Sequence, residues 1–272
     1  MNSTVGALKS EVEALKCEIE RLKQGDGLID VLQGVRNKIE FASGHVILVD
    51  VMPRKVQRSI EDAIVRSART SFASGLKSTK QDSKLVRYLL VNRHTSPLES
   101  VKFTFHLRLP VFSARQIIRH RTANINEFSM RYAQVQGRYK PISDPEGIRV
   151  QCSVNKQSSK EASLEKEEQI YPLMYQIEEL LDQVQEKYEK LLALGCAKEV
   201  ARFCLPMSSW TELIFTIDLN NFLKFLSLRM DSHAQKEIRD VAGSMWELTK
   251  DLMPTVRDWF EETNPHIFRP TV

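Results

Sequence analysis

The chain has 272 residues, with 39 Lys+Arg against 35 Asp+Glu and a formal net charge of +4 with its six histidines neutral. Apolar residues make up 42 % and charged residues 27 %, close to globular averages, which excludes a collagen-like, low-complexity or largely disordered chain. No apolar run approaches the roughly 18 residues needed to cross a bilayer, and the start MNSTVGALKSEVEALK lacks the cationic-then-apolar pattern of a secretory signal. A charge this mild suits an anionic ligand without demanding nucleic acid. Cys17, Cys152, Cys196 and Cys204 form no C-x-x-C pair and no zinc-finger spacing, so they are expected as reduced thiols in a cytoplasmic protein.

Residues 1–26 stand apart as a helical extension. Val5, Leu8, Val12, Leu15, Ile19 and Leu22 recur at alternating spacings of 3 and 4, an a/d seam of three heptads. β-branched residues at a and Leu at d favour two parallel strands, with Glu11 facing Lys16 and Glu18 facing Lys23 across the pair. An amphipathic helix docked on its own domain is the alternative. Gly25-Asp26-Gly27 ends the segment, and residues 27–42 read as a linker before a domain over 43–272.

Within that domain, His45–Val51 reads as a strand, and Val56–Thr70 and Gln81–Asn92 as amphipathic helices. The cleanest alternation follows: Val101, Phe103, Phe105, Leu107 and Leu109 point one way and Lys102, Thr104, His106 and Arg108 the other, a half-buried strand that Pro110 stops. Val111–Arg121 reads as a helix, 137–163 as a loop region with a short strand near Ile148–Cys152, and Leu164–Leu194 as a long helix ending at Gly195. Trp210–Ile217 reads as a strand, and Asn220–Met230 and Ala234–Leu252 as helices. Strands and helices mix without βαβ alternation or a G-x-G-x-x-G loop, which predicts an α+β fold with helices packed on an antiparallel sheet.

The densest chemistry lies at 115–132. Arg115, Gln116, Arg119, His120, Arg121, Asn124, Asn126, Glu127, Ser129, Arg131 and Tyr132 fall within 18 residues. Guanidinium forks match phosphate oxygens bidentately, and Ser, Gln and Asn add directional hydrogen bonds. Ile117, Ile118, Ile125 and Phe128 between them predict partial burial, which favours a phosphate-ester site over a solvated basic face.

Arg119-His120-Arg121, seven residues, then Ser129, resembles the RHR-x7-S signature of flavin-dependent thymidylate synthases. ARTSF at 68–72, RHTSPLES at 93–100, ARQIIRHR at 114–121, ARFCLP at 201–206 and TIDLNNFLKFLSLRMDSHAQKEIR at 216–239 resemble further segments of that family, in the same order. The resemblance covers about 45–265 and leaves the heptads outside. It implies synthesis of dTMP from dUMP, with methylenetetrahydrofolate as one-carbon donor, FAD as hydride carrier and NADPH as reductant. It also implies a homotetramer whose sites are shared between subunits.

Carried over residue by residue, the resemblance assigns FAD binding to Ser71, His94, Ser96, Arg119, His120, Arg121, Glu127, Asp218, Asn220 and Lys224. It assigns dUMP binding to Gln116, Arg119, Glu127, Ser129, Arg131, Arg202 and Arg229. Arg229 is the expected catalytic residue, a guanidinium at the pyrimidine edge that stabilises developing negative charge. Without the resemblance, Arg229 reads as a helix residue paired to Asp231 or Glu237. Asn124 stands where many members have Ser, and Asn220 and Lys224 where others have Arg, Asn or His.

Cys204 and Ser129 are expected to be structural and ligand-binding respectively, since no activating base accompanies either. His106 reads as a solvated residue and His233 as a helix cap. No metal, membrane or nucleic acid is expected. The rival reading is a non-catalytic basic nucleotide- or nucleic-acid-binding protein dimerised by its N-terminal helix.

Overall fold

The computed structural model describes residues 29–33, 36–144, 146, 148–153 and 159–268; the heptad segment and Cys17 lie outside them. The alternating segment is strand β5 (Lys102–Pro110), the middle of a five-stranded sheet with order β2-β3-β5-β9-β6. Its neighbours are β3 (Gly44–Met52) and β9 (Trp210–Asp218), with β2 (Lys38–Phe41) and β6 (Asn124–Glu127) at the edges; every pairing is antiparallel. The first strand of this sheet lies inside the segment read as a linker. Another part of that segment, β1 (Ile29–Asp30), pairs with β4 (Lys55–Val56). The domain therefore starts before residue 43.

One face of the sheet is the core. Phe103, Phe105, Leu107 and Leu109 meet Leu213, Phe215 and Ile217 there, all buried. The helices over it are α1 (Glu61–Arg69), α2 (Thr79–Val91), α6 (Leu219–Arg229), α7 (Lys236–Thr249) and α8 (Pro254–Thr263). Phe222 stacks on Phe103 and Phe105, and Trp246 on Phe260, at ring separations of 4.9–5.6 Å. Each such side chain contributes about 1.5–3 kcal/mol by leaving water. The opposite face is mixed: Ile47 and Ile214 flank His106, Thr104 pairs with Thr216, and His106 is not simply solvated but sits 2.9 Å from the Glu212 carboxylate.

The β2–β3 hairpin turns at Ala42-Ser43, and Gly44 follows with φ +139°. A Cβ there would lie 1.8 Å from the Arg108 carbonyl oxygen, so glycine is what lets β3 approach β5.

Helix boundaries differ from the sequence reading where local hydrogen bonds compete. The first helix begins at Glu61 rather than Val56, because Lys55–Val56 are taken up in a strand pair. The helix expected to reach Arg121 is α3 (Val111–Ile117), which stops four residues early in a tight turn: His120 N–H donates to Ile117 O and Ala123 N–H to His120 O. The helix expected from Ala234 starts at Lys236. Asp231 Oδ1 holds the preceding turn by accepting from the His233 N–H, so His233 lies before the helix and does not cap it. Edge strand β6 was not visible in the sequence, since Asn-Ile-Asn-Glu carries one apolar residue and no alternation to find.

Helix α4 (Leu164–Ala193) runs for 30 residues and anchors the loop after β6. Arg138 pairs with the Glu178 and Asp182 carboxylates, and Tyr188 Oη accepts from the Val135 N–H at 3.2 Å. Short helix α5 (Lys198–Ala201) closes a small second cluster with Val135 and Tyr188.

Candidate active site

Three groups of the expected residues come together. The first is built by the α3 turn and the end of α6. Asp218 starts α6 by accepting from the Asn221 N–H at 3.0 Å, which sets the helix so that Arg229 ends it. Arg229 Nε donates to His120 Nε2 at 3.0 Å and Nη2 donates to the Gln116 carbonyl at 3.3 Å. The His120 ring also stands edge-on to Phe225, 4.8 Å between centroids.

Burial, then the neighbouring Arg229 cation, pushes the His120 pKa from 6.5 down to about 4. The imidazole is therefore neutral at pH 7, as it must be to accept at Nε2, and Nδ1 carries the proton. Burial lowers the Arg229 pKa as well, though a guanidinium stays charged at neutral pH. Among the described residues no carboxylate balances that charge: Asp231 pairs with His233 and His266, and Glu237 with Arg149. A half-buried cation satisfied only by a neutral ring and a carbonyl is receptive to an anion. Arg119 and Arg121 flank His120, exposed and without an ion pair among the described residues.

The second group lies on the loop after β6. Ser129 Oγ accepts from the Arg131 N–H at 3.4 Å, Arg131 Nε stands 3.6 Å from a Glu199 carboxylate oxygen, and Arg202 Nε donates to Glu199 O at 3.3 Å. Glu199 thus gathers Arg131 and Arg202, a pairing the sequence reading missed. Glu127, at the end of β6, accepts from Thr211 Oγ1 at 3.0 Å.

The third group lines a cleft of ≈ 560 Å³ that includes Asn220, Lys224 and Ser227 of α6 opposite Arg93, Thr95 and Trp259. Asn220, Lys224 and Ser227 stand at i, i+4 and i+7, one helix face. His94 and Ser96 adjoin the cleft through their neighbours Arg93 and Thr95. Both are exposed, and His94 stacks edge-on against Tyr88 at 5.8 Å. Arg93 adopts φ +57°. Ser71 lies outside all three groups, in the exposed turn Thr70–Phe72 after α1.

The signature is split within one chain. Arg119–Arg121 precede β6 at its Thr216 end, and Ser129–Arg131 follow it past Leu213. Four strand residues hold the two apart by about 10 Å.

Cys204 Sγ donates to Ala201 O, and among the described residues no base is hydrogen-bonded to it. Among the described residues no group of three His, Cys, Asp or Glu is arranged to hold a metal ion, and no helix is long and apolar enough to cross a membrane.

Together these features define an α+β protein whose α3 turn and α6 end carry Arg119, Arg121 and Arg229 without a carboxylate partner among the described residues. Residues 48–255 match the family of thymidylate synthase complementing proteins. The flavin-dependent thymidylate synthase of Dictyostelium discoideum is 43 % identical over 222 residues, 80 % of this chain and 71 % of the relative. That of Treponema denticola is 42 % identical over 218 residues, 80 % of this chain and 79 % of the relative. The crystal structure of a UMP/dUMP methylase, PolB from Streptomyces cacaoi bound with 5-Br dUMP, superposes with a TM-score of 0.70 at 31 % identity, covering 82 % of this chain and 97 % of that one. The chain belongs to the family of flavin-dependent thymidylate synthases.

Proposed function

We propose that this protein makes dTMP from dUMP by reductive methylation, taking the one-carbon unit from methylenetetrahydrofolate and reducing equivalents from NADPH through FAD. The observation that carries the reading is Arg229: a half-buried guanidinium with no carboxylate partner among the described residues, fixed by a neutral His120 and the Gln116 main-chain carbonyl.

The residues present fit a flavin dinucleotide. Arg119 and Arg121 offer uncommitted forks for its phosphates, and the cleft with Asn220, Lys224, Arg93 and Thr95 has a volume in the range of cofactor pockets. His94, Ser96, His120, Glu127 and Asp218 complete the proposed FAD set, with Ser71 an outlying member. When bound, FAD carries the hydride that completes the methyl group. Gln116, Arg119, Ser129, Arg131 and Arg202 hold the nucleotide, with Glu127 beside them. Arg229 stabilises negative charge that develops on the pyrimidine as C5 becomes nucleophilic, and its fixed geometry means no reorganisation accompanies that step.

Because β6 separates the two halves of the signature, a complete nucleotide site draws Ser129, Arg131 and Arg202 from one subunit and Gln116 and Arg229 from another. This reading includes a homotetramer.

The test is tritium release from 5-labelled dUMP by purified, FAD-loaded protein, with dTMP identified by chromatography and UMP run alongside. Release is expected only with both methylenetetrahydrofolate and NADPH. No release with FAD bound and both co-substrates present overturns the reading. Methylation of UMP in preference to dUMP moves the substrate to the ribonucleotide.

A further inference from the structure

A chain of side-chain hydrogen bonds runs from β7 (Arg149–Gln151) to the Gln116 carboxamide, beside the Arg229 group. Arg149 Nη2 donates to Glu237 Oε1 at 2.5 Å, and Gln235 Nε2 donates to Glu237 Oε2 at 2.8 Å. Gln116 Nε2 then donates to Gln235 Oε1 at 2.5 Å, and the main-chain carbonyl of Gln116 separately accepts from Arg229. Glu237 is 3 % exposed and Gln235 is half-buried, so water does not compete freely for these groups.

The direction of this chain is determined by chemistry. A carboxylate only accepts, so Gln235 must turn its NH2 toward Glu237. Its oxygen is then the end that faces Gln116, and Gln116 must answer with its own NH2. The consequence reaches the ligand side: Gln116 is left with Oε1 as an acceptor and one remaining N–H. A carboxamide with no such constraint would present either end.

We propose that Glu237, anchored by Arg149, is a positioning residue that fixes the polarity of the Gln235 and Gln116 carboxamides and so selects which face Gln116 shows the nucleotide. This rests on the dUMP reading of the site given above. Glu237 and Gln235 both act through Gln116 rather than by touching the nucleotide.

The polarity can be broken and then restored. In Glu237→Gln, the single amide oxygen stays on Arg149, so position 237 presents its NH2 to Gln235 and the polarity of the Gln235 and Gln116 carboxamides is reversed. The double variant Gln235→Glu/Glu237→Gln moves the carboxylate one step along the chain. Position 237 accepts from Arg149 and donates to position 235, which accepts from Gln116 Nε2 as before. Polarity at Gln116 returns, whereas the partner of the Arg149 guanidinium remains neutral.

The experiment measures the steady-state dUMP dependence of FAD-loaded wild type, Glu237→Gln and the double variant, with dUMP affinity by calorimetry and thermal midpoints in parallel. Glu237→Gln is expected to raise KM and the calorimetric Kd for dUMP by about tenfold, the scale of one misdirected hydrogen bond, with little change in kcat. The double variant is expected to recover KM and Kd while its midpoint stays below wild type. Unchanged KM and Kd in Glu237→Gln overturns the proposal. So does a double variant that remains as weak as the single one, since a purely structural role would track stability. A folded wild type that neither binds nor converts dUMP defeats the underlying function and the proposal with it, an outcome separated from the others by the wild-type arm alone.

Discussion

Arg229 is held by two groups that carry no negative charge, and this makes its contribution separable from its fold. Arg229→Ala is expected to lower turnover by about 10²–10³, the size of one lost charge-stabilising donor, while the flavin spectrum of the purified protein is retained. Turnover at the wild-type level would remove Arg229 from the chemistry. His120 gives a second expectation at this scale. Its pKa in the folded protein is about 4, below the ordinary 6.5, so the unfolded chain takes up a proton first as pH falls. Stability from this group is complete above pH 6.5 and is lost between 6.5 and about 4. His45, also lowered by burial, acts in the same direction. The thermal midpoint of His120→Gln should therefore fall less steeply across that window than that of the wild type; equal slopes would contradict a neutral buried imidazole. The motif residues themselves were legible in the sequence because type and spacing identify them. Gln235 and Glu237 were quoted within a matched segment, but their part depends on which end of an amide faces which neighbour, and no spacing encodes that.

At the level of elements, β5 was readable because burial on one face and solvent on the other impose a period of two on its residues. β6 was not, since an edge strand with one partner needs no apolar stripe. The early end of α3 was also hidden: Ile118, Ala123 and the arginines between them favour helix well enough, and only the His120 and Ala123 turn bonds break the run. The β2–β3 hairpin depends on Gly44 for close approach to β5. Gly44→Ala places a methyl carbon against the Arg108 carbonyl in a backbone region that L-residues avoid. It is expected to cost about 1–3 kcal/mol and to lower the thermal midpoint by several degrees in calorimetry. An unchanged midpoint would mean that the strand can slide away from β5 without penalty.

For the molecule as a whole, residues 48–255 carry the family match, and the heptad segment lies outside both that match and the described residues. The described residues include a five-stranded sheet and its covering helices, and the heptads lie outside the matched span. Deletion of 1–26 is accordingly expected to leave a folded, active tetramer by light scattering and tritium release. Dissociation to inactive monomers would make that segment part of the assembly. Fold class and family were accessible from the sequence because collinear motifs report the whole arrangement at once. The spacing of the two signature halves was not, because it depends on where a single edge strand sets down its two ends.

That strand acts as a spacer of fixed gauge. Removing two residues from Asn124–Glu127 would preserve which way the remaining side chains face, yet draw the arginine turn and the serine loop nearer by about 7 Å. Removing one would rotate the loop to the other side of the sheet. The seven-residue interval between Arg121 and Ser129 is thus a requirement on length before it is one on identity, and away from Glu127 substitutions inside it are expected to be milder than insertions or deletions.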